Sequence, residues 1–205
     1  MERIVVRQIG IFPEGCLCPS GLLTLNTIYN IYEKPELGRL SYYLGVINSS
    51  VVAFYWRLRF FDNKETFPKI KKAPLLSIPI PPATNAQRVH VECLVGCLTI
   101  VTASKTTEHA AQSTRDPLML AYCERLLNGL VYELYFPEEV HGAGLGLFDL
   151  VEKAKLPDVN ALDEKDRLPR LRQKFEELHD GGHPLRIALD KLQTLDTVRI
   201  IEGKA

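Results

Sequence analysis

The chain has 205 residues, of which 46% are hydrophobic and 24% are charged, and its formal net charge is zero. These proportions are typical of a globular protein with a real core, and they exclude a disordered chain or a uniformly basic one. The charge is unevenly divided, however. Residues 1–82 hold ten Lys and Arg against six Asp and Glu, and residues 83–205 hold fifteen against nineteen. A front half of +4 and a rear half of −4 indicate one surface that faces an anion.

Cysteine usage and the apolar runs predict the compartment. The five cysteines are an odd number and lack the dense spacing of a secreted disulfide scaffold. Met1, Glu2 and Arg3 lead directly into strand-like residues instead of into a charged and then apolar leader. The apolar runs fall short of the roughly 18 residues of a membrane span. We therefore expect a cytoplasmic protein without a membrane segment.

In the front half, the pattern predicts a small mixture of strands and one helix. β-Branched residues predict a strand over residues 3–9, and alternation predicts a second over residues 23–32. The Pro- and Gly-rich residues 11–22 between them are predicted to form a loop. Apolar residues at three- and four-residue steps predict a single amphipathic helix over residues 39–59. A proline-punctuated edge strand is predicted within residues 75–82.

From residue 85 onward, helical periodicity dominates. We predict helices over residues 86–104, from Asp116 as N-cap to residue 136, from Pro169 to residue 180, and from Pro184 onward. The β-branched tail at residues 197–201 favours a further strand. The predicted fold class is α+β: a small mixed α/β domain over residues 1–84, followed by a mainly helical region over residues 85–205.

Several residues on one predicted helix are of the types that bind metals. His90, Cys93 and Cys97 lie at three- and four-residue steps, and Cys16 with Cys18 would complete a ligand set. The spacing is not that of a zinc finger, and cysteines beside leucines on a helix are typical of core packing. We therefore assign no metal site, and a metal-dependent enzyme built on these residues is kept as a third interpretation.

A basic segment follows the first predicted helix. It has a net charge of +4 within sixteen residues, and its cations are Arg57, Arg59, Lys64, Lys69, Lys71 and Lys72. Such cations neutralise phosphates, whereas amides, hydroxyls and some cations read base edges. Groups of the second kind in this segment are Asn63, Lys64, Thr66 and Lys69, and Asn26 with Thr27 offers another set.

The same part of the chain carries a family pattern. Its stretches are YYLGVINSSVVAFYWR at residues 42–57, FPKIKK at residues 67–72 and LSIPIPP at residues 76–82, preceded by RIVVRQIG at residues 3–10 and LTLNTIYNIY at residues 23–32. In this order they resemble the TaqI-like C-terminal specificity domain of adenine-specific DNA methyltransferases, which include the fused restriction-modification enzymes called type IIG. Residues 127–151 and 183–205 are similar to the helical tails of such proteins.

The resemblance implies a target-recognition domain that docks into the major groove of double-stranded DNA. It implies a methyltransferase domain of the same polypeptide on the opposite side of the DNA, and S-adenosylmethionine would bind there and not to this chain. FPKIKK is the stretch most similar to the family, so the resemblance implies a DNA contact most directly for its residues Phe67, Lys69, Lys71 and Lys72. Lys71 and Lys72 would bind phosphates. For Arg7, the resemblance implies a DNA contact less directly.

The chain has no recognisable catalytic motif of its own. A Gly-rich cofactor loop and an Asn-Pro-Pro-Tyr-like motif are missing, since Pro81 and Pro82 follow Ile80. The glycines of residues 142–146 follow a predicted helix and are interpreted as helix breakers. We expect a non-enzymatic chain that recognises specific DNA for a bacterial type IIG-like enzyme. The alternative is a protein-interaction or scaffold module whose basic loop is merely solvated.

Overall fold

A computed structural model describes residues 1–34, 39–60, 68–104 and 115–204. The chain divides into two compact units, Met1–Pro82 and Ala83–Ala205. The first unit combines a small sheet with helices, and the described residues of the second are helical, which confirms the α+β fold class. The assignment of target recognition to residues 1–84 and of packing to residues 85–205 stays a prediction.

A three-stranded antiparallel sheet forms one part of the first unit. Its strands are β1 (Arg3–Arg7), β2 (Gly15–Cys18) and β3 (Ile28–Tyr32), in the spatial order β2-β1-β3. Val5 lies opposite Cys16 on one side and Asn30 on the other. Ile4 and Val6 of the central strand are fully buried, so β1 is the strand around which this unit packs.

β2 corrects the prediction of a loop over residues 11–22. Gly15 permits this strand, because a Cβ there would lie 2.9 Å from the backbone oxygen of Val5. The Asn48 carboxamide bonds to both backbone groups of Gly15: Oδ1 accepts from its N–H at 2.9 Å, and Nδ2 donates to its C=O at 3.0 Å. One distant side chain therefore replaces the neighbouring strand that β2 lacks on its outer edge. A contact between residues 33 positions apart leaves no signal in the local composition.

The prediction of a single helix over residues 39–59 is wrong, because two helices occupy this range. They are α1 (Leu40–Ile47) and α2 (Ser50–Phe60), separated by Asn48 and Ser49. The buried Ser49 hydroxyl donates to Val46 O at 2.7 Å and accepts from Val52 N at 3.3 Å, so it ends the first helix and starts the second. Such side-chain bonds to the backbone compete with a continuous helix.

The strand predicted within residues 75–82 is also absent. Helix α3 (Lys72–Leu76) occupies its start, and residues 77–82 run without ladder pairing. Three of these residues are prolines, which have no N–H to donate to a ladder. The segment is instead held by a buried hydrogen bond from the Tyr42 hydroxyl to Pro81 O at 2.8 Å and by burial of Ile78.

The described part of the second unit is a set of packed helices. They are α4 (Asn85–Ser104), α5 (Asp116–Tyr135), α6 (Pro137–Gly142), α7 (Leu147–Ala154), α8 (Glu164–Leu178), α9 (Pro184–Leu192) and α10 (Asp196–Ile201), with a 3₁₀ turn at Val159–Ala161. Leu130, Leu147, Leu185, Leu189 and Leu192 are fully buried, so leucines dominate this core. Within the described ranges, every helix is too short or too polar to span a bilayer.

Three sequence-based boundaries in this unit need correction. Asp116 is the first residue of α5 and not its N-cap, and its buried carboxylate pairs with the Arg172 guanidinium at 2.7 and 2.9 Å. Pro169 lies inside α8, at a place where it removes one intrahelical bond, and does not start it. Residues 197–201 belong to α10 and not to a strand, because Val198 and Ile201 point to the core at helical spacing.

Candidate nucleic-acid interface

The carboxyl end of β1 brings three distant segments together. Ile9 and Lys69 form an isolated antiparallel bridge. Gly10 N donates to Pro68 O at 3.0 Å, and Ile70 N donates to Gln8 O at 2.9 Å. Residues 68–70, the Pro-Lys-Ile of FPKIKK, therefore lie alongside the chain that leaves β1, immediately after Arg7.

Gln8 also joins the end of the loop before β3. Its backbone N–H donates to Thr27 O at 2.9 Å, and its side-chain Nε2 donates to Asn26 O at 2.9 Å. Arg7, Asn26 and Lys69, each predicted to contact DNA, thus surround a residue that the sequence analysis passed over. We call the surface formed by residues 7–10, 26–27 and 68–71 the β1 rim.

The lysines of the β1 rim are well placed to meet an anion. Lys69 and Lys71 are exposed, whereas Ile70 between them is only 2% exposed. Because Lys69 is in a β-bridge and Lys71 has the extended dihedrals φ −94° and ψ 148°, alternate side chains point the same way. Two cations therefore project from one side of the segment. Lys72, also exposed, follows as the first residue of α3.

Arg7 is exposed but already has an acidic partner. Its guanidinium forms an ion pair with Glu14, and the two side chains are 47% and 46% exposed. A solvent-exposed pair of this kind is weak and screened by salt. Arg7 is therefore available to an anion only if it gives up Glu14, and its DNA contact stays a prediction.

The two predicted arginines of α2 belong to a different element from the segments of the β1 rim. Arg57 and Arg59 are exposed in the last turn of that helix, where cations stabilise the helix dipole. Residues two positions apart do not share a helix face, so the two side chains point in different directions. Both remain candidate contacts by prediction only.

Four of the predicted contacts lie outside the described residues: Asn63, Lys64, Thr66 and Phe67. Asn26 is exposed, and its backbone carbonyl holds Gln8. The β1 rim therefore unites Arg7, Asn26, Lys69 and Lys71 of the predicted set.

A buried arginine supports the loop beside the β1 rim. Arg3 is 5% exposed; its guanidinium donates to Asn30 Oδ1 at 2.7 Å, to Leu22 O at 2.6 Å and to Pro19 O at 3.4 Å. These bonds anchor residues 19–27, which we call the leucine loop. Its side chains Leu22, Leu23 and Leu25 are 57%, 99% and 78% exposed.

Sequence reasoning missed both Arg3 and Gln8. An arginine at the head of an otherwise apolar strand is a signal for a buried, loop-holding cation. A glutamine directly after that strand offers no comparable signal, because its partners are backbone carbonyls at positions that composition does not reveal.

The residues considered for a metal have other contacts in the second unit. Among the described residues, no group of three or more His, Cys, Asp or Glu could hold a metal ion. Hydrogen bonding to Cys93 and burial raise the pKa of Cys97, which keeps this thiol in its protonated, weakly ligating form. The Sγ atom of Cys93 lies 3.3 Å from Pro157 O, and the His90 ring packs 6.3 Å from that of Phe148. These contacts favour a packing role.

Of the comparisons with known proteins, the one with family models gave a match. No curated protein matches the chain, and no solved structure matches it. The family model described as the TaqI-like C-terminal specificity domain matches residues 1–80, which is nearly the whole first unit. The match does not reach residues 127–151 or 183–205, whose similarity to helical tails stays a prediction. Residues 1–80, which include the β1 rim, are thus similar to the TaqI-like C-terminal specificity domain.

Proposed function

We propose that the first unit binds double-stranded DNA and supplies sequence recognition to an adenine-specific methyltransferase domain of the same polypeptide, in a type IIG-like restriction-modification enzyme. The observation that carries this proposal is the convergence of Arg7, Asn26 and Lys69 around Gln8. Three segments far apart in sequence present cations and amides at one end of the sheet. The match of residues 1–80 to a specificity-domain family supports the same function.

The chemistry of the β1 rim suits both parts of DNA recognition. Exposed lysines on one side of an extended segment neutralise phosphates and position the protein without reading sequence. Amide groups between them reach base edges, and a β-ribbon is narrow enough to enter the major groove. Lys69 and Lys71 supply the first property, and the amides of Gln8 and Asn26 supply the second.

In this proposal the chain recognises DNA and performs no bond-making step. Methyl transfer and the binding of S-adenosylmethionine belong to the methyltransferase domain, which holds the flipped adenine. The division agrees with the cations and amides that the β1 rim presents. Its place of action is the bacterial cytoplasm, where the DNA is.

The test is a double charge reversal on the β1 rim. We expect Lys69→Glu with Lys71→Glu to weaken duplex binding and to lower the slope of log affinity against log salt by about two, because two phosphate contacts are lost. The melting temperature should change little, since both side chains are exposed. Affinity is measured by fluorescence anisotropy across a salt series.

The matched control reverses two exposed lysines of the second unit, Lys153→Glu with Lys165→Glu. This pair changes the net charge equally but leaves the β1 rim intact. If both double variants weaken binding to the same extent, the effect is one of net charge only. If the Lys69 and Lys71 variant binds as tightly as the unchanged protein, the β1 rim is not the interface.

One observation favours a second candidate function, that of a protein-interaction module. No charged residue lies between Gly15 and Tyr32, and the leucine loop exposes three apolar side chains. An uncharged apolar surface suits a protein partner better than it suits phosphates. Duplex affinity that is undetectable even at low salt would favour this function over DNA recognition.

A further inference from the structure

The side chain of Gln8 is held in one orientation. Its Nε2 atom donates to Asn26 O at 2.9 Å. Because a backbone carbonyl can only accept, this bond identifies the nitrogen, and not Oε1, as the atom that faces the leucine loop. An amide nitrogen carries two hydrogens, so, as far as the described residues are concerned, one N–H and the Oε1 acceptor remain to bind another group.

The backbone of Gln8 is fixed on both sides. Its N–H donates to Thr27 O, and its C=O accepts from Ile70 N, both at 2.9 Å. The residue therefore sits between two segments that approach from different parts of the chain. A side chain that starts from such a clamped backbone, and whose tip is bonded as well, loses little conformational entropy when it binds.

We propose that Gln8 reads an adenine in the recognised sequence through the major groove. The inference rests on the proposed function and names one residue that determines specificity. Adenine presents an N7 acceptor and an N6 amino donor at its major-groove edge, and a glutamine amide matches both with its N–H and its oxygen. The second N–H and the Oε1 of Gln8, which no described residue binds, are this pair of groups.

The surroundings of Gln8 suit a base contact better than a phosphate contact. Exposed Lys69 lies in the bridge opposite Ile9, next to Gln8, and can hold the DNA backbone, as can Arg7 once it leaves Glu14. Gln8 itself is half-buried and neutral, so it adds nothing to phosphate attraction. Phosphate contacts position a protein, and neutral groups between them specify the sequence.

A purely structural explanation is that Gln8 only attaches the leucine loop to the end of β1 through its hydrogen bond to Asn26 O. Removing a bond that only holds the loop lowers the affinity for every DNA sequence, whereas removing a base contact weakens the preference for one base at one position. The Gln8→Lys variant separates the two, because its ammonium group can still donate to Asn26 O. A lysine at this position would also prefer guanine, whose major-groove edge presents only acceptors.

The experiment uses the full 205-residue chain and a pool of duplexes with a randomised segment. The unchanged protein selects its preferred sequence, and affinities are then measured for all four bases at each selected position. We expect Gln8→Ala to reduce the preference for adenine at one position roughly tenfold to a hundredfold. Gln8→Lys is expected to turn this preference toward guanine. As a control, Lys69→Ala should weaken binding to all sequences alike.

A modified base gives a second readout that does not depend on loop stability. Replacing the selected adenine by 7-deazaadenine removes the N7 acceptor. This change should weaken binding of the unchanged protein about tenfold. The affinity of Gln8→Ala should not change, because this variant already lacks the contact to N7.

The outcomes separate the two proposals. If the unchanged protein selects a sequence and both Gln8 variants select the same one with unaltered base preferences, the inference about Gln8 is wrong while DNA recognition stands. If the unchanged protein enriches no duplex at low salt, the proposed function fails and the inference fails with it.

Discussion

Arg3 shows how a single residue determines the shape of the candidate interface. Its guanidinium is buried in the first unit and satisfies two loop carbonyls and the Asn30 side chain. The planar five-donor group of arginine reaches all three acceptors at once, which a lysine ammonium cannot do. The position of the leucine loop thus depends on one cation at the start of β1.

We predict that Arg3→Lys lowers the free energy of unfolding by about 2 kcal/mol, because buried acceptors lose their partners while the charge stays buried. The measurement is urea denaturation followed by circular dichroism. Arg7→Lys is the matched control, since it makes the same substitution on the same strand at an exposed position and should cost less than about 0.5 kcal/mol. Equal effects of the two substitutions would show that the Arg3 bonds contribute no stability.

Among the elements, those defined by their own residues were predictable. Helix α4 (Asn85–Ser104) agrees with the range inferred from periodicity, and β1 (Arg3–Arg7) lies within its predicted strand. Elements that depend on partners elsewhere in the chain were not. β2 needs the Asn48 amide at its edge, and the α1–α2 boundary needs the buried hydroxyl of Ser49. Periodicity reports which face of an element is apolar, but it does not report such long-range or capping bonds.

The same limit applies to the candidate site. Residue type identified the cations Lys69 and Lys71 and the amide of Asn26, because phosphate and base contacts require those groups. Gln8 was missed, since the carbonyls to which it donates belong to residues 26 and 27, which the local sequence does not connect with it. The charge pattern could not show that Arg57 and Arg59 point in different directions at the end of α2.

At the level of paired helices, Tyr122 joins α5 to α8. Its hydroxyl donates to Leu178 O at 3.1 Å, and its ring packs edge-on against Phe175. Burial raises the pKa of Tyr122 from 10.0 to about 12. The folded state holds the phenol proton more tightly than the unfolded state does, so the stability that comes from this group is complete below pH 10. It is lost as the pH rises toward 12.

We predict that Tyr122→Phe costs about 1 kcal/mol at neutral pH, because the hydroxyl bond is lost. The cost should shrink between pH 10 and 12, since ionisation then destabilises the unchanged protein but not the phenylalanine variant. Urea midpoints measured at several pH values test this. Burial also raises the pKa of Cys123 to about 12, and this thiol is present in both proteins. A difference that stays constant up to pH 12 would contradict the prediction.

For the whole molecule, the boundary between compact units coincides with the change in charge. The unit Met1–Pro82 has a net charge of +4, and residues 83–205 have −4. The positive unit is the one that contains the β1 rim and the family match. The net negative charge of the second unit would oppose the approach of DNA, and its packing role stays a prediction.

We predict that residues 83–205, expressed alone, fold to a helical unit with a cooperative thermal transition, because they form one compact unit and bury many apolar side chains. This fragment should not bind duplex DNA, whereas residues 1–82 should retain the salt-dependent binding of the full chain. Circular dichroism and anisotropy measure the two properties. A helical fragment that binds DNA as tightly as the full chain would move the interface out of the first unit.

The exposed leucines of the leucine loop affect the heat-capacity change of complex formation. Covering Leu22, Leu23 and Leu25 removes apolar surface from water, which gives the reaction a negative heat-capacity change. Ion pairing through the lysines of the β1 rim does not produce this signature. Isothermal calorimetry at several temperatures therefore reports whether the loop is covered in a given complex, and a Leu23→Ala variant calibrates the share contributed by its most exposed side chain.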